Sequence, residues 1–167
     1  MERYKIQLET ILDDSLKGEK KTWTKEEVEE IAKENDLVLS EEYSFYLQHY
    51  GNDYINEGYC FVDSKESALG QKSYNIDSIF GLYDDVNSIN KQAEAYNNII
   101  PQHLFPIAEM PGGDLVCMDK VNGGISFWFH DMDGNNLFPM ADSFQDFILR
   151  FDKCEEDIQG KNPKVTY

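Results

Sequence analysis

The order of signals along the 167-residue chain predicts a single α+β domain, a mainly antiparallel sheet with helices packed against it. Three observations carry that prediction. Helical spacing of apolar residues dominates the N-terminal third. From Leu104 to Phe129, short apolar runs alternate with Pro-Gly and Asn-Gly turns, the pattern of hairpin-linked strands. The chain then returns to an amphipathic helix that opens at Ser143. At 167 residues and 41% hydrophobic, the chain suffices for one buried core and is short for two. No repeat, low-complexity linker or shift in composition marks a second domain.

The elements follow in order. Tyr4, Leu8, Ile11 and Leu12 share one helical face and predict an N-terminal helix over residues 1–18, ended by Gly18. The domain proper is expected over residues 19–153. Thr24 with Glu27 three residues on forms a capping-box signature, and Trp23 can staple onto Val28. Val28 and Ile31 carry the buried face of that helix. Leu37-Val38-Leu39 leads to a third helix capped by Ser40, with Glu41 and Glu42 where the helix dipole favours anions. Its stripe is Tyr43, Tyr46, Leu47 and Tyr50, and Gly51 stops it.

In the middle of the chain, Gly58–Val62 reads as a strand, Ser64–Ser73 as loop and Ile76–Leu82 as a strand. Val86, Ile89, Ala93 and Tyr96 are near helical spacing over Asp85–Tyr96. Strands are expected around Leu104–Ala108, Leu115–Met118 and Ile125–Phe129. Pro111 to Asp114 and Asn122-Gly123-Gly124 make the turns between them. Phe144, Phe147, Ile148 and Phe151 form the face of the last helix, and residues 154–167 are expected to be a flexible tail. The predicted core is Val28, Ile31, Tyr43, Leu47, Ile107, Leu115, Phe127, Phe129, Phe147 and Ile148. Trp128 should face the opposite side of the sheet from Phe127 and Phe129, toward a second packed layer or a binding cleft.

Charge is the strongest global property: 32 Asp+Glu against 15 Lys+Arg leave a formal −17. That field repels nucleic acid and anionic membrane and attracts basic partners; it also favours solubility. The three cysteines, Cys60, Cys117 and Cys154, are far apart with no CxxC pair. Cys60 and Cys117 are expected as small core fillers in a reducing compartment. The mixed-charge N-terminus carries no secretory signal and no run is long enough to span a membrane, so a cytoplasmic protein is expected.

Sites of chemistry do not survive inspection. Asp131, Asp133, Asn135 and Asp142 approach the spacing of a calcium loop, but Asn136 stands where the loop needs glycine, and the preceding run is strand-like. Asp133-Gly134 is read as a hairpin turn instead. Asp114 with Asp119-Lys120 suggests a metal-dependent nuclease, yet adjacent residues of a strand point to opposite faces. His49, His103 and His130 are isolated, Ser143 serves as a cap, and the glycines at Gly112-Gly113 lead to a strand rather than a helix. The expectation is no enzyme, no cofactor and no metal.

What remains is the pairing of aromatic and acidic residues. Asp53, Glu57 and Asp63 interleave with Tyr54, Tyr59 and Phe61, and Asp84 and Asp85 follow Tyr83. Aromatic anchors ringed by carboxylates suit a binder of a basic protein patch. The same pattern also describes a core with a solvated rim. The candidate partner-binding residues are Asp53, Tyr54, Glu57, Tyr59, Tyr83, Asp84, Asp85 and Trp128.

An ordered set of small motifs goes further. It comprises Leu39-Ser40 before the Tyr-rich helix ending at Tyr50-Gly51, then Ile100-Pro101, Pro106-Ile107-Ala108 and Gly112-Gly113-Asp114. Phe127-Trp128-Phe129-His130 and Asp142-Ser143-Phe144 with Phe147 complete it. In this order the chain resembles the SUKH superfamily, in the branch named for a fungal cell wall assembly regulator, over about Thr24–Asp152. Ser40 departs from the usual proline and Asp53 from a further glycine. The resemblance implies a sheet with helices packed on it. For a bacterial member it implies an immunity protein that binds a cognate polymorphic toxin domain, basic and nuclease-like, and occludes its active site. A non-enzymatic scaffold in cell-wall or envelope control is the alternative it implies. It supplies no site residues and no oligomeric state.

Overall fold

The computed structural model describes residues 1–13, 21–63 and 69–154. The expected helix stop at Gly18, the first half of the loop expected at Ser64–Ser73, and all but the first residue of the expected tail therefore lie outside the described residues. The architecture is α+β, with two antiparallel sheets and five helices among the described residues.

Helix α1 (Glu2–Ile11) ends at Leu12, which turns extended and bridges Ile55. Its apolar stripe Tyr4, Leu8 and Ile11 has no exposed surface. The Tyr4 hydroxyl donates to the Glu42 carbonyl at 2.7 Å, and burial pushes that phenol well above its ordinary pKa. The Gln7 amide donates to the carbonyls of Ile148 and Phe151. The N-terminal helix is thus an integral wall of the core.

Helix α2 (Lys25–Glu34) carries the capping box foreseen at Thr24 and Glu27, and α3 (Glu41–His49) is capped by Ser40. Helix α4 (Ile89–Ala95) is shorter than expected and is capped by Ser88. Helix α5 (Phe144–Leu149) begins at the Ser143 cap. Each cap satisfies a backbone N–H that the first helical turn leaves without a partner.

The main sheet has six strands in the order β1 (Asp53–Tyr54), β4 (Ser78–Ile79), β5 (Leu104–Glu109), β6 (Leu115–Asp119), β7 (Ile125–Trp128) and β8 (Leu137–Ala141). A second sheet orders β3 (Ser73–Tyr74), β2 (Tyr59–Val62) and β9 (Phe151–Lys153). The expected strand over Ile76–Leu82 shrinks to two laddered residues, because the backbone from Gly81 on turns to meet other loops. Phe151 sits on β9, opposite Phe61, rather than on the face of the last helix.

Alternation along β7 works as expected. Phe127 faces the central core, 5.1 Å from Phe61 and 5.2 Å from Tyr74 between ring centroids. Trp128 points the other way and is 7% exposed, because Tyr96 at the end of α4 covers it edge-on. Leu115 stands opposite Trp128 in register and is buried on that same side. The sheet therefore has a second packed layer. Eight of the ten predicted core residues are buried, while Ile31 and Phe129 pack only partly against the core.

The cysteines require a correction. Cys60 and Cys154 form a disulfide, with Cα atoms 5.0 Å apart and 94 residues between them in sequence. Sequence spacing hid this pairing because β9 brings Cys154 alongside β2, where the Cys154 N–H donates to the Gly58 carbonyl. Cys60 is buried but is not a free core filler. Cys117 is free and buried, and burial pushes its thiol up to about 12. No helix among the described residues is long and apolar enough to cross a membrane.

Candidate partner-binding surface

The structure sorts the eight candidate residues into four places. Tyr83, Asp84 and Asp85 lie on the loop from β4 to α4, and Asp53 and Tyr54 form the neighbouring edge strand β1. Glu57 lies on the turn toward β2, and Tyr59 is half-buried on β2 opposite Lys153, in the other sheet. Trp128 lies inside the second layer.

Two loops knit the first group together. Asn52 adopts the left-handed backbone conformation at φ 56°. Its side-chain oxygen accepts from Gly81 N–H at 2.7 Å, and its amide donates to the Tyr83 carbonyl at 3.2 Å. The Asp53 carboxylate accepts from the Gly51 N–H and is only 4% exposed, so it braces this junction from within. Gly51 and Gly81 touch backbone to backbone: a Cβ on Gly81 would lie 2.2 Å from the Gly51 Cα.

The loop beyond Gly81 is internally tied. Asp85 N–H donates to the Tyr83 carbonyl, the Asp85 carboxylate accepts from Asn87 N–H at 2.7 Å, and the Gln92 amide donates to the Val86 carbonyl. Three consecutive side chains then stand outward: Asp84, Asp85 and Val86, with Val86 75% exposed. Asp84 meets Lys91 at 2.9 Å, but both side chains are over half exposed, so the pair is weak and leaves Asp84 open to a partner's cation.

Tyr83 anchors the base of this ridge. Its hydroxyl donates to the Lys21 carbonyl, and its ring meets Trp23 edge-on at 6.3 Å. Lys21 lies 3.9 Å over the Trp23 ring. Burial, with Asp53 nearby, raises the Tyr83 phenol above its ordinary pKa, so it remains a neutral donor. Trp23 and Val86 were not foreseen as surface residues here. Trp23 reads as a staple for α2 and Val86 as a helix-face residue, and only the folded loop sets them beside Tyr83. Tyr54 is 58% exposed on the edge strand, opposite Ser78 in register.

Other acidic residues prove to be builders. Asp119 accepts from the N–H groups of Val121 and Asn122, which hold its carboxyl below the usual range. Asp114 accepts from His130 N–H and meets its Nδ1 at 2.7 Å, while Asp131 meets its Nε2 at 2.9 Å. Asp114 and Asp119 are thereby committed to the two hairpin turns.

Residues 22–150 match the SMI1 / KNR4 family (SUKH-1). The chain belongs to that family. The SUKH-1 match begins at residue 22, after α1, and that helix is built into the same core. The chain is 27% identical over 158 residues to the SPbeta prophage-derived uncharacterized protein YokK of Bacillus subtilis (strain 168), covering 82% of this chain and 78% of that protein. No solved structure matches it.

Proposed function

We propose that this SUKH-1 chain is a cytoplasmic, non-enzymatic immunity protein that binds a cognate toxin domain stoichiometrically and blocks its active site. The observation that carries the reading is the preorganised ridge of Tyr83, Asp84, Asp85 and Val86, on a chain of formal charge −17. A toxin that cleaves nucleic acid must itself be basic to hold phosphates. A rigid acidic ridge complements such a surface and loses little loop entropy on binding. The prophage origin of the Bacillus relative suits a gene carried for competition. In a reducing cytoplasm Cys60 and Cys154 would be thiols, and Asn75 Oδ1, 3.1 Å from Cys60 Sγ, offers that thiol an acceptor.

The test is co-expression with the toxin domain encoded beside it, followed by binding kinetics of the purified pair. Rescue of growth with a one-to-one complex is expected. Tyr54→Ala or Tyr83→Ala should raise the off-rate, by about 2 kcal/mol if the ring is an anchor. Wild-type protein that rescues against no neighbouring toxin would transfer the reading to an envelope scaffold. Rescue unaffected by both tyrosine changes would keep immunity and remove the ridge.

A further inference from the structure

The Lys21 ammonium lies 3.9 Å over the Trp23 ring, and among the described residues no carboxylate stands within ion-pair reach of it. The chain holds 32 Asp and Glu residues. An ammonium that settles on a ring instead shows what that ring attracts, since the face of an indole carries the negative end of its quadrupole. The helix does not place the cation there. Lys21 precedes the Thr24 cap of α2, where the helix dipole is positive and disfavours cations. Glu27 lies close enough to feel it: its carboxyl is held below the ordinary range first by the Thr24 N–H and further by Lys21.

The ring is built as a platform. Trp23 N–H donates to the Gln48 carbonyl at 2.9 Å, which fixes the residue to the last turn of α3. Tyr83 meets the indole edge-on at 6.3 Å, and its hydroxyl donates to the Lys21 carbonyl. Trp23 is only partly buried, whereas the lysine over it is exposed. Through Tyr83 the platform is continuous with the Asp84–Val86 ridge. An ammonium held by an exposed ring alone is displaceable, and a guanidinium is the better occupant. It is planar and more weakly hydrated, so it stacks on the indole and keeps its in-plane N–H groups for carboxylates such as Glu27.

We propose that the Trp23 face seats an arginine side chain of the basic protein partner, which displaces the Lys21 ammonium. The proposal rests on the reading of the chain as a binder of a basic protein, and it names one chemical contact of the Tyr83 surface. Lys21 is then an internal competitor, and removing it strengthens the contact.

Trp23 and Trp128 are the two tryptophans of the chain, and Trp128 is buried in the second layer. Their indole N–H resonances therefore separate the seat from the rest of the molecule. The test is titration of the full-length, isotopically labelled chain with acetyl-Gly-Arg-Gly-amide. A saturable shift of the Trp23 indole, with that of Trp128 unmoved, is expected. K21M, which keeps the stem and removes the ammonium, should bind the peptide about threefold more tightly. K25M removes an equal charge from the exposed Lys25–Glu29 pair on α2 and should change affinity by much less. The citrulline analogue, neutral and of the same shape, should leave Trp23 unshifted. An unmoved Trp23 indole, an equal response to citrulline, or equal gains in K21M and K25M would overturn the seat, the last by assigning the effect to net charge. The peptide decides the seat with no toxin present and rescue of growth decides immunity, so either can fail alone.

Discussion

At single positions, neighbours that the sequence does not reveal decide what a residue can be. Gly81 lies against Gly51, and a methyl group there would sit 2.2 Å from the Gly51 Cα and 2.7 Å from Asn52 N. Gly81→Ala must therefore push the Asn52 loop off the ridge. It should lower stability by about 2–3 kcal/mol, read as a shifted urea midpoint with unchanged slope. Glu109 supplies a pH dependence. Its burial, and secondarily Asp77 beside it, raise its carboxyl pKa above the ordinary value. The folded state then holds a proton that the unfolded chain releases. Stability from this group is complete below the ordinary carboxylate pKa and is lost as pH rises through the folded value. Glu109→Gln should gain melting temperature relative to wild type as pH rises above the ordinary carboxylate range and show no gain below it. Equal differences at all pH values would place the effect in packing. Asp53 shows the same dependence on context: in sequence it is one of several acids near tyrosines, and in the fold it is a buried brace.

Among elements, the capped helices and the β5–β6–β7 meander are the ones legible in advance, since each is announced by a local signal at its own boundary. Ser40, Thr24 and Ser143 all cap as their sequence contexts imply. The elements missed or shortened are those held from outside. Strands β3 and β4 are two residues long and exist through their partners, and β9 follows α5 after a single residue. The Cys60–Cys154 link belongs with them, because it crosses from β2 to the end of β9. Closing a loop of about 94 residues restricts the unfolded chain, so Cys154→Ser should cost the oxidised protein about 3 kcal/mol. Denaturation with and without reductant separates the causes. The gap between variant and wild type should close under reductant, and a gap that persists would assign the loss to packing around Cys60.

For the whole molecule, the excess of carboxylates acts through its field rather than through particular pairs. At physiological salt that field reaches about 8 Å, so it speeds encounter with a basic partner and adds little once contact is made. With the proposed toxin partner, association should slow as salt rises from about 50 to 500 mM, while dissociation changes little. D84N/D85N should reduce the on-rate and flatten that dependence. Association that ignores salt would leave the immunity reading standing and remove electrostatic steering from its mechanism.

The sequence by itself determined the fold class, the caps, the register of the aromatic strand and the acidic field, because each arises from residues close together in the chain or from composition alone. It also carried the family, through motifs whose order is the information. Only the tertiary structure decided which aromatic and acidic residues share a surface. The Tyr83 loop is aimed by Asn52, 31 residues earlier, Trp128 is hidden by Tyr96 from another element, and Cys60 finds Cys154 across 94 residues. Exposure is a property of what packs on top, and no local pattern records that.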